Sequence, residues 1–373
     1  MRLLADHCDL YNAALQERRE AWRLRNLSIS YGDQSAQLKE IRAADPDGQG
    51  RHSFTAQQQT LRRLNTVFAA YFRRVRDAKV CARRVGYPRF KPYQRFEQVL
   101  FVAGDGARWE PADGGHWAHA SFKAVGRIKV GQHRSVVGRV KTLQLKREGR
   151  RWYVIVVTQA EAVPLAPTGR SVGVDVGVAR FLTTSDGDVV ANPRFLEVAQ
   201  ERIADLQRRK ARARPGSGNR RRLRRALAKE WRKVRNQRRD FHHKTARGLV
   251  DSCDTLAFEA LRVASMTATA SGTAEHRGHN VGAKSGLNRS ILDAGWALFM
   301  RILVAKAESA GRRVILVHPA STSIDCHTCG ASCARPRQDT VVCPVHGELN
   351  ADLNGVRNIT ARAGLGSGQA SAA

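Results

Sequence analysis

The chain has 373 residues, and its 64 Lys and Arg against 33 Asp and Glu leave a formal net charge of +31. This length allows two or three domains with a sizeable core. So large a positive excess argues against an ordinary cytosolic enzyme and favours nucleic acid, rather than a membrane surface, as the partner. No apolar run reaches about eighteen residues and no signal peptide is evident, so we expect a soluble cytoplasmic protein. Its seven cysteines should then be reduced thiols.

The first part of the chain has helical periodicity. Residues 1–24 carry an apolar stripe, and a polar loop with Asp45-Pro46-Asp47-Gly48 follows. Thr55 with Gln58 fits a capping box at the start of a second helix, whose polar side is rich in arginine. We predict a helical lobe over residues 1–85. Its basic faces are either solvated or turned towards nucleic acid.

From residue 86 the pattern changes from helix to strand. The segment 86–91 combines aromatic residues with Arg89 and Lys91. This mixture is typical of a segment that stacks bases and contacts phosphates, and equally of a linker tethered by an aromatic side chain. Short β-runs separated by Gly-rich turns follow at 99–102, 126–130, 137–145 and 152–158. They predict a small β-barrel over residues 86–168 with a Pro-rich exit linker.

The next strand carries an isolated acid. Valines alternate with Gly173, Asp175 and Gly177, which is the period of a strand with one apolar face. Asp175 stands between two residues without side chains, so we expect room for a metal ion and a phosphate. The turn at 185–188 is a hairpin signal that returns the chain as a second strand. This arrangement is typical of the start of a ribonuclease H-like nuclease domain.

Residues 201–247 hold 19 Lys and Arg but only 4 Asp and Glu, a local excess of 15. Apolar anchors predict two helices, with a break at 214–218. A charge run is usually a solvated face, but arginine at this density repels itself without a phosphate backbone beside it, so we favour contact with nucleic acid. The candidate contacts here are Arg208, Arg209, Lys210, Arg220, Arg221, Arg222, Arg224 and Arg225.

Two further acids stand on elements of the same kind as Asp175. Glu259 lies on the polar face of an apolar strand at 254–261, beside a small alanine. Asp352 lies near the start of a helix with Gly355 one turn later. Taken alone, Asp352 would equally be an acid favoured by the helix dipole. Between these acids the pattern predicts a mobile loop at 267–287, a long helix at 288–310 with a cap at Gly311, and a strand at 313–319.

Cysteine spacing predicts a metal site. Cys326 and Cys329 form one knuckle, and Cys343 and His346 form a second knuckle thirteen residues later. Two such knuckles are typical of a zinc ribbon. Cys333 is an alternative fourth ligand, but the two-residue gap of the second knuckle favours His346. A closed four-ligand site leaves no position for a substrate, so its role should be structural.

Three acids on separate elements predict a second site, for hard cations. Converging carboxylates repel one another unless cations neutralise them, and Mg²⁺ or Mn²⁺ suits oxygen ligands. Two such ions about 4 Å apart activate a water and stabilise the leaving oxygen of a phosphodiester. In this interpretation Asp175 bridges both ions, and Glu259 and Asp352 each complete one side. Hydrolysis would leave a 5′-phosphate and a 3′-hydroxyl.

The order and spacing of these motifs resemble the transposon-encoded TnpB nucleases and the related type V CRISPR effectors. The matching segments run from Tyr11 to Ile359 and include 86–91, 128–130, 138–141, 173–177, 258–261, Met266, 292–296, 322–323, 352–354 and 358–359. Family members usually have a cysteine where His346 stands, and a wedge strand before the first helix.

The resemblance implies an α/β multidomain protein, in which a ribonuclease H-like (RuvC) nuclease domain contains an inserted zinc ribbon and follows a helical recognition lobe and a wedge-like β-barrel. The implied boundaries are 1–85 for the recognition lobe, 86–168 for the wedge, 169–324 and 348–363 for the nuclease domain, 325–347 for the zinc ribbon and 364–373 for a disordered tail. It also implies a guide RNA, a DNA target with a short adjacent motif, and a bacterial cytoplasmic location.

Three functions remain open at this stage. The first is an RNA-guided DNA endonuclease with Asp175, Glu259 and Asp352 as catalytic metal ligands. The second is an RNA-guided repressor that binds DNA without cutting, which the presence of all three acids disfavours. The third is a guide-independent, DNA-binding accessory of transposition. Copurifying RNA separates the third from the others, and Mg²⁺-dependent cleavage that is lost in Asp175→Ala separates the first from the second.

Overall fold

A computed structural model describes residues 2–81, 85–112, 114–272 and 278–365, with the side chains of 78–81 left aside. The chain forms two compact units, Met1–Glu161 and Ala162–Ala373, which are described separately. Most of the tail predicted at 364–373, and part of the loop predicted at 267–287, lie outside the described residues. No helix in the described ranges is long and apolar enough to cross a membrane.

Four helices open the first unit: α1 (Arg2–Arg25), α2 (Tyr31–Ala36), α3 (Leu38–Ala44) and α4 (Phe54–Cys81). The predicted first helix is confirmed, but α2 and α3 occupy much of the predicted polar loop. Ser30 and Asp33 form a capping box that begins α2. The predicted cap of α4 is wrong by two residues. Its start is capped by Ser53, whose hydroxyl accepts a hydrogen bond from the Ala56 N–H at 3.2 Å, and not by Thr55.

A six-stranded sheet completes this unit, in the order β4-β3-β2-β1-β5-β6. Its strands are β1 (Gln98–Ala103), β2 (Gly106–Glu110), β3 (Trp117–Phe122), β4 (Gly126–Gly131), β5 (Arg139–Glu148) and β6 (Arg151–Gln159). The predicted runs correspond to β1, β4, β5 and β6, whereas β2 and β3 were not predicted. A barrel would pair β4 with β6, and no such pairing occurs among the described residues, so the sheet is open. Helices and sheet share one core around Tyr11, Leu64 and Phe101.

The second unit is built on a five-stranded sheet with the order β11-β10-β7-β8-β9. Its strands are β7 (Ser171–Val176), β8 (Arg180–Thr184), β9 (Val189–Ala191), β10 (Thr255–Glu259) and β11 (Arg313–Val317). β8 is antiparallel to both β7 and β9, and β10 is parallel to both β7 and β11. The predicted hairpin at 185–188 joins β8 to β9, because β7 already turns back at 177–179.

The described part of this unit also contains six helices: α5 (Phe195–Arg212), α6 (Gly218–Ser252), α7 (Val263–Met266), α8 (Val281–Ala294), α9 (Trp296–Ser309) and α10 (Ala351–Arg362). The two basic helices, α5 and α6, agree with the prediction. The single helix predicted at 288–310 is wrong, because Gly295 adopts φ +70° and separates α8 from α9. Gly311, with φ +67°, follows the end of α9 as predicted.

The sheet is covered on both faces. Val174, Phe258 and their apolar neighbours belong to one core with α6 and α9. On the other face, Ala257 packs against Ile359 of α10. The α10 helix therefore lies over the face of β7 and β10 that carries the polar residues.

Gly173 is explained by this helix. A Cβ at Gly173 would lie 2.2 Å from Thr360 Oγ1 and 2.8 Å from the Val356 carbonyl oxygen. The sequence pattern predicts open space there for a metal ion and a phosphate. That expectation is wrong for Gly173, because α10 fills the space and brings its own acid to the sheet.

Candidate active site and metal cluster

The three predicted acids meet at one edge of the second unit. Phe258 is paired with Val174 in the parallel β7–β10 ladder, so the residues that follow them, Glu259 and Asp175, lie at the same carboxyl ends of neighbouring strands. Ligand sites of α/β sheets commonly lie at such ends. Asp352 is in the first turn of α10, the helix that covers this face.

The environment of Asp175 opposes its ionisation. Burial, with the negative charges of Glu259 and Asp352 added to it, raises the pKa of Asp175 to about 7. Burial also raises the pKa of Glu259, although the Thr322 hydroxyl and the charge of Arg362 act in the opposite direction. Such perturbed acids are typical of functional sites, because a bound cation can replace the proton.

The acids are neighbours without forming a closed ligand set. Within the described residues, the one group that brings three or more potential metal-ligating atoms within 4.8 Å of one another is a cysteine–histidine cluster, not the acids. Asp352 Oδ2 lies 3.6 Å from Arg180 Nη1, and its side chain is 34% exposed. A Cβ at Gly355 would lie 4.0 Å from Asp175 Oδ2, an ordinary contact, so the helix passes close to this acid and an alanine would fit there.

Sequence reasoning assigned no role to three residues that hold this edge together. The Thr322 hydroxyl donates a hydrogen bond to Glu259 Oε1. Asn358 Nδ2 donates to the carbonyls of Thr322 at 2.9 Å and Asp325 at 2.7 Å, and Asn354 Nδ2 donates to the Asp325 carbonyl at 2.8 Å. The sequence does contain a signal for this role. Asn354 and Asn358 lie one turn apart among the apolar residues of a helix, and buried amides need hydrogen-bond partners.

The loop from Thr322 leads into a small sheet and the second predicted site. Its strands are β12 (Ala334–Arg337), β13 (Thr340–Cys343) and β14 (Gly347–Asn350), in that order. His346 Nδ1 lies 3.6 Å from both Cys326 Sγ and Cys343 Sγ, and Cys329 Sγ lies 3.5 Å from Cys343 Sγ. A tetrahedron with metal–sulfur bonds of about 2.3 Å has edges of about 3.7 Å, so these four donors fit a zinc ion.

Geometry rather than acidity separates Cys333 from the cluster. The pKa of Cys326 is lowered to about 6, chiefly by the backbone N–H of Cys329. Burial raises the pKa of Cys333 to about 11, with the Cys343 and Cys326 charges adding to it, but the pKa of Cys329, a member of the cluster, is raised too. Cys333 lies outside the group of four donors, and this placement favours His346 as the fourth ligand.

The ten basic residues predicted to contact nucleic acid are placed unevenly. Seven are exposed: Arg89, Arg208, Arg209, Arg221, Arg222, Arg224 and Arg225. Lys91 is half-buried, with its Nζ 4.9 Å from the centre of the Tyr11 ring. Arg220 is half-buried too, and its Nη1 donates to the Ala213 carbonyl at 2.8 Å, which closes the turn between α5 and α6. Lys210 is the third half-buried member.

Two residues of the segment 86–91 are held against the helices, as expected for a linker tethered by an aromatic side chain. Tyr87 packs edge-on against Phe68 and Tyr71, with ring centroids 5.8 and 5.3 Å away. Lys91 is held on α1 by Tyr11, while Arg89 alone of the two predicted cations remains exposed. The exposed arginines of α6 differ from these, because buried Leu223 and Leu227 anchor that helix and leave its basic side outward.

Comparison with solved structures identifies the class of fold. The structure described as "Cryo-EM structure of the Cas12f1-sgRNA-target DNA complex" matches with a TM-score of 0.56 at 12% identity, and the match covers 96% of this chain and 81% of that chain. The chain therefore has the mixed α/β fold of a type V CRISPR effector. Two family models match parts of it: OrfB_IS605, described as "Probable transposase", over 154–270, and "Cas12f1-like, TNB domain" over 296–359.

Two relatives match nearly the whole sequence. The "Putative RNA-guided DNA endonuclease InsQ" of Escherichia coli (strain K12) is 32% identical over 97% of this chain and 88% of its own length. The "Putative RNA-guided DNA endonuclease" of Streptomyces pristinaespiralis is 28% identical over 95% of this chain and 83% of its own length. The chain belongs to the TnpB family, as its motifs predicted.

Proposed function

We propose that this protein is an RNA-guided DNA endonuclease whose catalytic centre is formed by Asp175, Glu259 and Asp352. The observation that carries the proposal is the meeting of three acids at one sheet edge, where the pKa of Asp175 rises to about 7. The donor set suits Mg²⁺ or Mn²⁺, which prefer oxygen ligands. The names of the two relatives supply the guide RNA and the DNA substrate.

Each acid has its own part in this centre. Asp175 interacts with both other acids, so it would hold a cation together with either of them. The Thr322 hydroxyl occupies Glu259 Oε1 and leaves Oε2 for a ligand. Asp352, which lies beside Arg180, would add a third carboxylate to the set that holds the metal. Bound cations would supply the activated water and stabilise the leaving oxygen.

The other predicted groups complete the proposal. Cys326, Cys329, Cys343 and His346 would hold a structural zinc ion, since four donors leave no open position. The exposed arginines of α5 and α6 would contact the phosphate backbone of the guide RNA or of its duplex with the target. Base pairing, rather than side chains, would then select the DNA sequence.

The test is cleavage by the protein purified with its native RNA. Sequencing the copurified RNA gives the guide, and a matched DNA target is then offered with and without Mg²⁺. We expect Asp175→Ala to abolish cleavage and retain target binding. Asp188→Ala is the matched control, because this acid is 64% exposed on the β8–β9 hairpin and should leave cleavage intact.

Each contrary outcome selects another function. Binding of the matched target without cleavage by the unaltered protein would favour the repressor. Absence of any copurified RNA, together with binding to DNA alone, would favour the transposition accessory. Undiminished cleavage by Asp175→Ala would show that the chemistry lies elsewhere.

A further inference from the structure

The first unit contains a cavity that none of the proposed functions uses. It measures about 490 Å³ and lies between α1, α4, the segment 27–30 and Tyr87. Its walls are largely aromatic and include Trp22, Phe68, Tyr71 and Phe72. Trp22 is 58% exposed and Phe72 is 57% exposed. Large apolar side chains that stay exposed around a cavity indicate a binding surface.

Arg18 supplies a polar group to the same cavity. Its side chain is buried, and the residue is only 8% exposed. Nε donates to Gln34 Oε1 at 2.8 Å, Nη1 donates to Asn65 Oδ1 at 3.2 Å, and the guanidinium carbon lies 5.1 Å from the centre of the Phe68 ring. Nη2 is also buried, but within the described part of the chain it has no hydrogen-bond partner. A buried donor without an acceptor is costly unless a ligand provides one.

Hydrogen bonds hold the rest of the guanidinium in place. Gln34 Nε2 donates to the Ala14 carbonyl at 2.8 Å and to Glu17 Oε2 at 2.6 Å, which orients the Gln34 carbonyl towards Arg18. Together with Asn65, it holds two of the three guanidinium nitrogens. A ligand that accepts from Nη2 would therefore bind to a preorganised donor, which lowers the entropic cost of binding.

We propose that this cavity binds one unpaired nucleobase of a single-stranded nucleic acid, stacked on the aromatic walls with an acceptor atom of the base taking a hydrogen bond from Arg18 Nη2. Aromatic faces stack with any base. Every base also has an acceptor in its plane, a carbonyl oxygen or a ring nitrogen, so the donor would orient the base without selecting one. A purely apolar ligand would leave Nη2 unpaired. The proposal rests on the nucleic-acid binding of the proposed function and is independent of cleavage.

The test is photo-crosslinking of the full-length protein, without Mg²⁺, to short single-stranded oligonucleotides that carry 5-bromouracil, as RNA in one arm and as DNA in the other. Adducts are located by mass spectrometry of the digested protein. We expect adducts on the peptides that contain Trp22 or Phe72, and the arm that gives them identifies the source of the base. Oligonucleotides that crosslink only to α5 and α6 would overturn this proposal and leave the proposed function standing.

Substitution separates stacking from general affinity. At raised salt, which weakens phosphate contacts, Trp22→Leu should lower the affinity for oligo(U) or oligo(dT) about tenfold, the size of one base–aromatic stack. Trp152→Leu is the matched control, because Trp152 is 44% exposed on β6 and does not line the cavity. An equal loss in both variants would contradict the proposal. So would a Trp22→Leu variant whose self-association falls, by sedimentation, while its oligonucleotide affinity is unchanged.

A third variant tests the donor itself. Arg18→Gln removes Nη2, so at raised salt the affinity for oligo(U) should fall while binding by stacking persists. Thermal unfolding establishes that the variant is folded. A folded Arg18→Gln protein with undiminished affinity would show that Arg18 does not hold the base, and the Trp22 comparison decides the stacking step independently.

Discussion

Asp175 ionises less readily in the folded chain than in the unfolded one, because burial beside Glu259 and Asp352 raises its pKa from 3.8 to about 7. Below the unfolded pKa, Asp175 is protonated in both the folded and the unfolded chain, and the folded chain has its full stability. This stability is lost as the pH rises through the folded pKa, because the unfolded chain releases the proton more readily. We therefore expect Asp175→Asn to raise the free energy of unfolding of the metal-free protein by about 2 kcal/mol near pH 8, and to change it little near pH 4. Denaturant unfolding at both pH values measures this.

The control for this prediction is Asp188→Asn on the exposed hairpin, which should show no such pH-dependent gain. A gain from Asp175→Asn that is equal at both pH values would indicate better packing rather than a titration. Added Mg²⁺ provides a further check, since it should stabilise the unaltered protein more than the Asp175→Asn variant.

Gly173 makes a second prediction at the residue scale. A Cβ there would meet Thr360 Oγ1 and the Val356 backbone, so Gly173→Ala must displace α10 and, with it, Asp352. We expect destabilisation of about 2 kcal/mol and a loss of target cleavage larger than the loss of stability explains. Gly248→Ala, in α6 with nothing within 4 Å, should instead be neutral or slightly stabilising. Unfolding and cleavage assays on both variants test this, and full activity in Gly173→Ala would contradict it.

Among the elements, those whose pattern is local were predictable from the sequence. The valine alternation around Asp175 gave β7, and the cysteine spacing gave the knuckles. The break at Gly295 was missed because the surrounding residues continue the helical pattern, and only the positive φ separates the two helices. Strands β2 and β3 were missed because their small and polar residues have low β-propensity and pair through the sheet.

The meeting of the three acids was inferred from their chemistry, but the reason for it was not visible in the sequence. It depends on long-range contacts that no single segment encodes. Asn354 and Asn358 tie α10 to the loop at 322–325, and the same loop orients Glu259 through Thr322. One helix thus connects the sheet edge with the segment that leads into the cysteine cluster.

This connection gives a prediction about the zinc ribbon. Cys343→Ser should lose most of the bound zinc, whereas Cys333→Ser should keep it, because Cys333 is outside the four-donor group. Zinc content by elemental analysis measures both. Loss of the metal should also loosen the start of α10 and weaken Mg²⁺-dependent cleavage in Cys343→Ser alone. Equal zinc loss in the two variants would make Cys333 a ligand and would contradict the assignment of His346.

At the scale of the whole molecule, the excess of 15 positive charges over residues 201–247, on α5 and α6, is nearly half of the net charge of +31. Exposed arginines that neutralise phosphates release counterions, so the affinity for nucleic acid falls as salt rises. Folding explains only part of the positive charge, since Arg220 closes a turn and Lys91 covers a ring. Arg221, Arg224 and Arg225 of α6 are exposed, and within the described residues they form no ion pair, so we expect them to be available to a polyanion.

The last prediction compares two pairs of cations on the same helix. Arg221 and Arg225 are exposed, whereas Lys244 and Arg247 already form ion pairs with Asp240 at 2.8 Å and Asp251 at 2.7 Å. Removing two phosphate contacts should lower the slope of log affinity against log salt by about 1.5. We expect that change from Arg221→Gln with Arg225→Gln, and a much smaller one from Lys244→Gln with Arg247→Gln. The net charge changes equally in both, so equal slopes by fluorescence anisotropy would mean that charge acts as a whole rather than through this face of α6.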